Sequence, residues 1–314
     1  MRKVNFITQS MLILFTFLVV SCTDQQPKFP MGNDENFDAT VTTPSFNHGS
    51  GPKILIDGGH NNFFVQFNFF EPLQQLLIAD GYVVEVSKTK FSLDILENYK
   101  ILIVATPMAT NFMDSVQRYE GAFDSRELKA LKTWVQNGGS LLVFSEHFPF
   151  DLAVQSLLKV FEIDTSIGQV IDRHNFEYNP GQIIFESASI EADHPIINGK
   201  RSVKKLASYG GSALTGENYT NILKLSDKAE NLEREWRGAI MGPIGSGNSQ
   251  GLVGSYGRGK IAAFGDSNGF FAMQIETDHE HKLTVGMNDP SYDWKNFVLN
   301  TFDWLASDEI FNAQ

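Results

Sequence analysis

The chain has 314 residues, 42% of them hydrophobic and 20% charged, an ordinary globular composition with enough apolar content for one large domain or two small ones. A formal net charge of −12 argues against a nucleic-acid partner, because phosphate binding needs a basic face, and disfavours adhesion to anionic lipid. Its single cysteine, Cys22, excludes an internal disulfide and any zinc cluster of the CxxC type.

Residues 1–21 read as a secretory signal: Arg2 and Lys3 precede an apolar run from Met11 to Val20 that is too short for a comfortable spanning helix. The run closes as Leu18-Val19-Val20-Ser21-Cys22. That ending resembles the lipobox of bacterial lipoproteins, in which the cysteine is lipidated and becomes the mature N-terminus. The resemblance implies a lipid anchor at Cys22 in the inner or outer membrane of a bacterial cell envelope. Residues 22–50, rich in Pro, Asn, Thr, Gly and Ser without apolar periodicity, are expected to form a flexible tether.

An α/β domain is expected over 51–306, with a short tail at 307–314. The apolar run at 53–57 predicts a strand buried on both faces. It runs straight into Gly58-Gly59-His60-Asn61-Asn62. A helix follows at 69–80, with Pro72 in its first turn. Strands at 82–86 and 100–105 bracket a short helix at 92–99. The stretch 107–123 reads as a long polar loop. Asp124 and Glu127 have the form of a capping box for a helix that Gly138-Gly139 stops. A strand at 140–144 leads into Ser145-Glu146-His147, and a helix is expected near 151–160. This alternation predicts a mostly parallel sheet with helices on both faces. Further strands are expected near 183–186, 205–209 and 222–225. A β-hairpin at 252–264, turning at Gly257-Arg258-Gly259, should form a C-terminal extension that ends in Asp266-Ser267-Asn268. The last helix spans 292–306. The 26 Phe are expected mainly to fill a large core.

Several phrases in this order resemble the DUF4350 group of uncharacterised bacterial proteins. They are ILIDGGHNN from Ile54, GGSLLVFSEH from Gly138, Asp193-His194-Pro195-Ile196 with Gly199, GDSNGFF from Gly265, and the close from Gly286 to Leu305. The resemblance implies a flavodoxin-like, class I glutamine-amidotransferase-like fold and a ligand-binding edge, but no established activity. True amidotransferases carry a cysteine on a glycine-flanked elbow. Here the matching strand end reads Phe144-Ser145-Glu146-His147, so a thiolate mechanism is excluded.

Four polar strand ends should then share the carboxyl edge of the sheet, where α/β folds bind ligands. They are Asp57/His60/Asn61/Asn62, Thr106, Ser145/Glu146/His147 and Asp266/Ser267/Asn268. Three readings compete. The residues form a pocket for a polar ligand such as a carbohydrate, or for a protein partner. They bond one another and order the loops. Or they are catalytic, with His60 or His147 activating Ser145 or Ser267, or with Asp57, His60, His147 and Asp266 on a metal. Neither serine lies in G-x-S-x-G, and no motif requires a cofactor. His194 is expected to bond loop backbone, His174 to be solvated, and His279 and His281 to sit in an exposed acidic loop.

Overall fold

The computed structural model describes residues 31–111, 120–177, 181–235, 238–243, 248–276 and 282–308. The signal segment, Cys22, His279, His281 and the middle of the 107–123 loop lie outside them. No helix among the described residues is long and apolar enough to cross a membrane.

In chain order, β1 (Met31–Asn33) precedes the parallel strands β2 (Lys53–Ile56), β3 (Val83–Val86), β4 (Ile101–Ala105) and β5 (Ser140–Phe144). Helices α1 (Phe63–Gln66), α2 (Glu71–Ala79), α3 (Leu93–Leu96), α4 (Ser125–Gln136) and α5 (Phe150–Val160) connect or follow them. Every residue of β4 and β5 is buried, so the sheet is covered on both faces. α4 begins with the expected capping box: Asp124 accepts from the Arg126 and Glu127 amides, and Glu127 accepts from the Asp124 amide. Asn62 caps α1, which the sequence reading did not resolve.

After α5 come β6 (Asp164–Thr165), β7 (Gln169–Ile171), β8 (Gln182–Glu186), α6 (Pro195–Asn198), β9 (Lys205–Tyr209), β10 (Leu214–Thr215) and β11 (Thr220–Lys224). Then follow β12 (Glu230–Glu235), β13 (Gly238–Pro243), β14 (Ser249–Tyr256), β15 (Gly259–Phe264), β16 (Ala272–Glu276), β17 (Lys282–Gly286) and α7 (Trp294–Ala306). The main sheet has nine strands in the order β3-β2-β4-β5-β15-β14-β10-β6, with β11 also paired to β14. Its β3-β2-β4-β5-β15 part is parallel, and pairing beyond β15 is antiparallel.

The expected hairpin extension is therefore corrected. β15 is fully buried and pairs parallel to β5, so the hairpin is the middle of the sheet. Lys260 shows why a charge fits there. Its Nζ donates to the Trp304 and Ser307 carbonyls, each at 2.7 Å, and lies 5.1 Å from the Trp304 ring centre. It thereby closes the C-terminal end of α7, where a cation suits the helix dipole. Lys260→Met is expected to destabilise the fold by about 2–3 kcal/mol by leaving those carbonyls without a charged donor. A denaturant titration checks this.

The flexible tether is corrected from residue 31 onward. β1 pairs with β16 to make a three-stranded sheet with β17. Residues 34–50 then lie along the domain. Asp34 accepts from Gln274 and Asn288, the Ser45 amide donates to Asp80, and Phe46 meets Tyr82 edge-on at 5.1 Å. A polar, turn-rich composition concealed a segment that docks through backbone pairing and a few side chains.

Candidate functional site

β2, β4, β5 and β15 are consecutive neighbours in the sheet, so the four polar bursts do lie along one carboxyl edge. Hydrogen bonding divides them into two groups.

The first group gathers at the ends of β2 and β4. His60 is 2% exposed and sits between two carboxylates. Its Nδ1 lies 2.9 Å from Asp57 Oδ1 and its Nε2 lies 2.8 Å from Glu127 Oε1. Two carboxylate acceptors call for two N–H donors, which is the imidazolium form. Lys90 Nζ, 3.2 Å from Glu127 Oε2, supplies a second positive charge against the two negative ones. The rings of Phe91 and Phe123 flank the imidazole at centroid distances of 4.9 and 4.5 Å. Burial alone would lower the His60 pKa, but the hydrogen bond and charge of Asp57, with those of Glu127, raise it above the ordinary imidazole value. Burial likewise opposes the charge on Glu127. The amides of Asp124 and Phe91, with His60, outweigh it and hold that carboxyl below its usual range.

His60 and Asp57 are thus corrected as ligand contacts: both are buried, and both ring nitrogens of His60 are already engaged. The same bonding removes His60 as a general base for Ser145 or Ser267. It also removes His60 from the supposed Asp57, His60, His147 and Asp266 metal set. Among the described residues, no group of three or more His, Cys, Asp or Glu side chains is arranged to hold a metal ion. Asn62 and Thr106 are also buried and structural. Asn62 Oδ1 accepts from Thr106 Oγ1 at 3.2 Å and from the Val65 amide, and Thr106 Oγ1 accepts from the Phe64 amide. Asn61 is only half-buried, and its Nδ2 donates to the Met108 carbonyl at 3.3 Å.

The second group gathers at the ends of β5 and β15. Glu146 occupies the tight bend after β5 with φ +57°, the left-handed region that non-glycine residues seldom adopt. Its Oε1 accepts from the Ser267 amide at 2.7 Å and from the Ser267 hydroxyl. Asp266 Oδ2 accepts from the Tyr209 amide at 2.6 Å, and its Oδ1 accepts from Asn268 Nδ2 at 2.6 Å. Burial, followed by the nearby charge of Glu146, raises the Asp266 pKa to about 7. Gly211, with φ +78°, lets the chain after β9 pass this point; a Cβ there would lie 2.1 Å from the Gly265 carbonyl oxygen. Ser145 Oγ bonds Ser212 Oγ at 2.5 Å, so neither serine is joined to an imidazole. His147 is exposed, and its Nδ1 donates to the Phe148 carbonyl at 2.8 Å.

Sequence reasoning missed Glu127 as a partner of His60, because capping α4 accounted for it already. It also missed Asp151, buried at the start of α5, which accepts from the Gly168 amide at 2.7 Å and whose pKa burial raises to about 7. An acidic residue among the apolar positions of a buried helix face was the available signal. His194 behaves as expected. It caps α6 by accepting from the Ile196 amide, and burial with the nearby Lys260 charge lowers its pKa to about 4. His174 is exposed.

No family model matches the chain, and no curated protein is detectably similar to it. Among solved structures, the mmIFT52 N-terminal domain superposes with a TM-score of 0.57 at 16% identity, covering 82% of this chain and 99% of that one. A ThuA-like protein from Bacteroides uniformis ATCC 8492 matches at TM-score 0.46 and 17% identity, covering 83% of this chain and 94% of that one. The cytoplasmic protein STM1381 from Salmonella typhimurium LT2 matches at TM-score 0.45 and 13% identity, covering 81% and 100%. The first of these shows a shared fold and nothing about activity.

Proposed function

We propose that this chain is a lipid-anchored cell-envelope protein of the DUF4350 group. Its domain is flavodoxin-like, of the class I glutamine-amidotransferase-like type without the thiol. It works as a binding module for a carbohydrate or a protein partner at the carboxyl edge of its sheet. One observation carries this reading. At the strained bend after β5, the strand end that the resemblance matches to the amidotransferase elbow, Glu146 is turned inward and bonded to Ser267. With His60 and Thr106 committed internally and Asp57 and Asn62 fully buried, recognition falls to the accessible rim of Asn61, His147 and Asn268. The rigid loops beneath would position that rim without taking part in chemistry.

The anchor is tested by mass analysis of the mature N-terminal peptide and by the loss of membrane fractionation in Cys22→Ser. The rim is tested on a glycan array with the intact protein. His147→Ala combined with Asn268→Ala is expected to weaken any glycan that binds by about tenfold, the scale of a few rim contacts. Binding that survives the double variant unchanged would move the site elsewhere.

A second reading, an envelope hydrolase, would use the carboxyls at the ends of β5 and β15, where burial and then the Glu146 charge raise the Asp266 pKa to about 7, toward the range of a general acid. Ester or glycoside hydrolysis abolished by Glu146→Gln in a folded protein would establish it over the binding reading.

A further inference from the structure

Lipidation at Cys22, on which this inference rests, fixes one end of the chain to a bilayer, and the docking of β1 fixes the next. Met31 is nine positions beyond Cys22, so it lies within about 30 Å of the anchor however the intervening chain runs. β1 is antiparallel to β16, with Met31 opposite Ile275 and Asn33 opposite Met273. The chain therefore reaches the domain from the side of the Glu276–Lys282 pair, at the outer end of the β16–β17 ribbon. That ribbon follows the carboxyl end of β15 directly, through the Asp266-Ser267-Asn268 turn. Asn33 Nδ2 also donates to the Asn68 carbonyl at 2.8 Å, which ties β1 to the turn between α1 and α2. Arg258 lies at the opposite end of β15, a strand of six residues spanning about 20 Å.

We infer that the outer end of the β16–β17 ribbon, and with it the carboxyl edge of the sheet, is held facing the lipid surface. The occupant of this face is the bilayer itself, and the cause is tether length. Without Arg2 and Lys3 the anchored chain has a formal charge of −14 (−12 less two positive charges), so anionic headgroups repel it; the tether holds the face against that repulsion, and added salt, which screens it, should strengthen the arrangement. A partner recognised at the carboxyl edge would then meet the protein within a narrow layer above the membrane.

The experiment uses the full lipidated protein in vesicles of equal phosphatidylethanolamine and phosphatidylglycerol carrying an acceptor dye on the headgroups. With Cys22 acylated, a cysteine introduced by Lys282→Cys or Arg258→Cys is the sole free thiol for a donor dye. Both positions are exposed. Energy transfer from position 282 is expected to exceed that from 258 by about twofold or more, given a separation longer than the strand between them. Inserting a twenty-residue Gly/Ser segment after Asp24 should erase the difference while the protein still floats with the vesicles. Equal transfer in protein that floats, or a difference that survives the insertion, overturns the orientation. Failure of the uninserted protein to float, or a reactive thiol at Cys22, instead overturns the anchor on which it rests.

Discussion

His60→Gln is expected to lower stability by about 3–5 kcal/mol, because it leaves the Asp57 and Glu127 carboxylates buried with no cation between them. For a domain of this size that corresponds to a melting temperature lower by about 10 °C. The neutral triple variant Asp57→Asn, His60→Gln, Glu127→Gln should be less damaged than His60→Gln alone, since no unpaired charge is left behind. If the triple variant loses at least as much as the single one, the ion triad is not what holds this loop. The pH dependence has a definite sign. His60 has a folded pKa above its unfolded value of about 6.5, so its contribution is complete below that pH and fades as pH rises through the folded value. Glu127 has a lowered folded pKa, so its contribution is complete above its unfolded value and fades as pH falls through the folded one. Asp151 and Asp266, raised to about 7 by burial, lose their contributions as pH rises toward that value in parent and variant alike. The difference in urea midpoint between the parent and His60→Gln should therefore be constant in weakly acidic solution and shrink on the alkaline side.

The same triad explains what could and could not be foreseen. β2, β4, β5 and α4 were legible because each carries its signal within about ten residues: an apolar run, a capping box, a glycine stop. That Asp57, Thr106, Glu146 and Asp266 share an edge followed from the alternation of strand and helix. What those side chains do there was not legible. The partner of His60 lies 67 residues away on a helix whose own cap already explained Glu127. Asp266 is satisfied by the Tyr209 amide, 57 residues earlier, in a region whose short strands show no periodicity. Exposed ligand contacts and buried ion pairs have the same residue types; only burial and long-range bonding separate them. β1 is harder still, with three residues, one of them glycine, and no alternation to read. Its pairing is visible only from the strand it joins.

Docking of residues 31–50 yields the other large effect. Arg201, 15% exposed, places Nη1 at 3.0 Å from Asp303 Oδ2 and Nη2 at 3.8 Å from Asp80 Oδ1. The same Nη2 donates to the Thr43 carbonyl at 3.3 Å, so one guanidinium joins the strap to α7 and to the end of α2. Asp80 is fully buried and accepts from the Ser45 amide at 2.8 Å. Behind it the fit is close. Gly81 has φ +98°, and a Cβ there would come within 2.3 Å of the Phe46 carbonyl oxygen. Arg201→Met keeps the bulk of the side chain and removes its charge, leaving Asp80 with no counter-ion and Asp303 with Lys200 alone, at 3.1 Å. A loss of about 3–4 kcal/mol is expected, the range for breaking one side of a buried ion pair. The loss should have a local signature as well as a global one. In the parent protein a protease should spare 34–50, because backbone docked by hydrogen bonds cannot enter a protease cleft. In Arg201→Met, cleavage within 34–50 should appear under conditions where the rest of the domain stays intact. A free tether would behave in the opposite way: residues 34–50 would be cut in both proteins, and Arg201→Met would change neither the pattern nor the stability beyond the few tenths of a kcal/mol typical of surface charges.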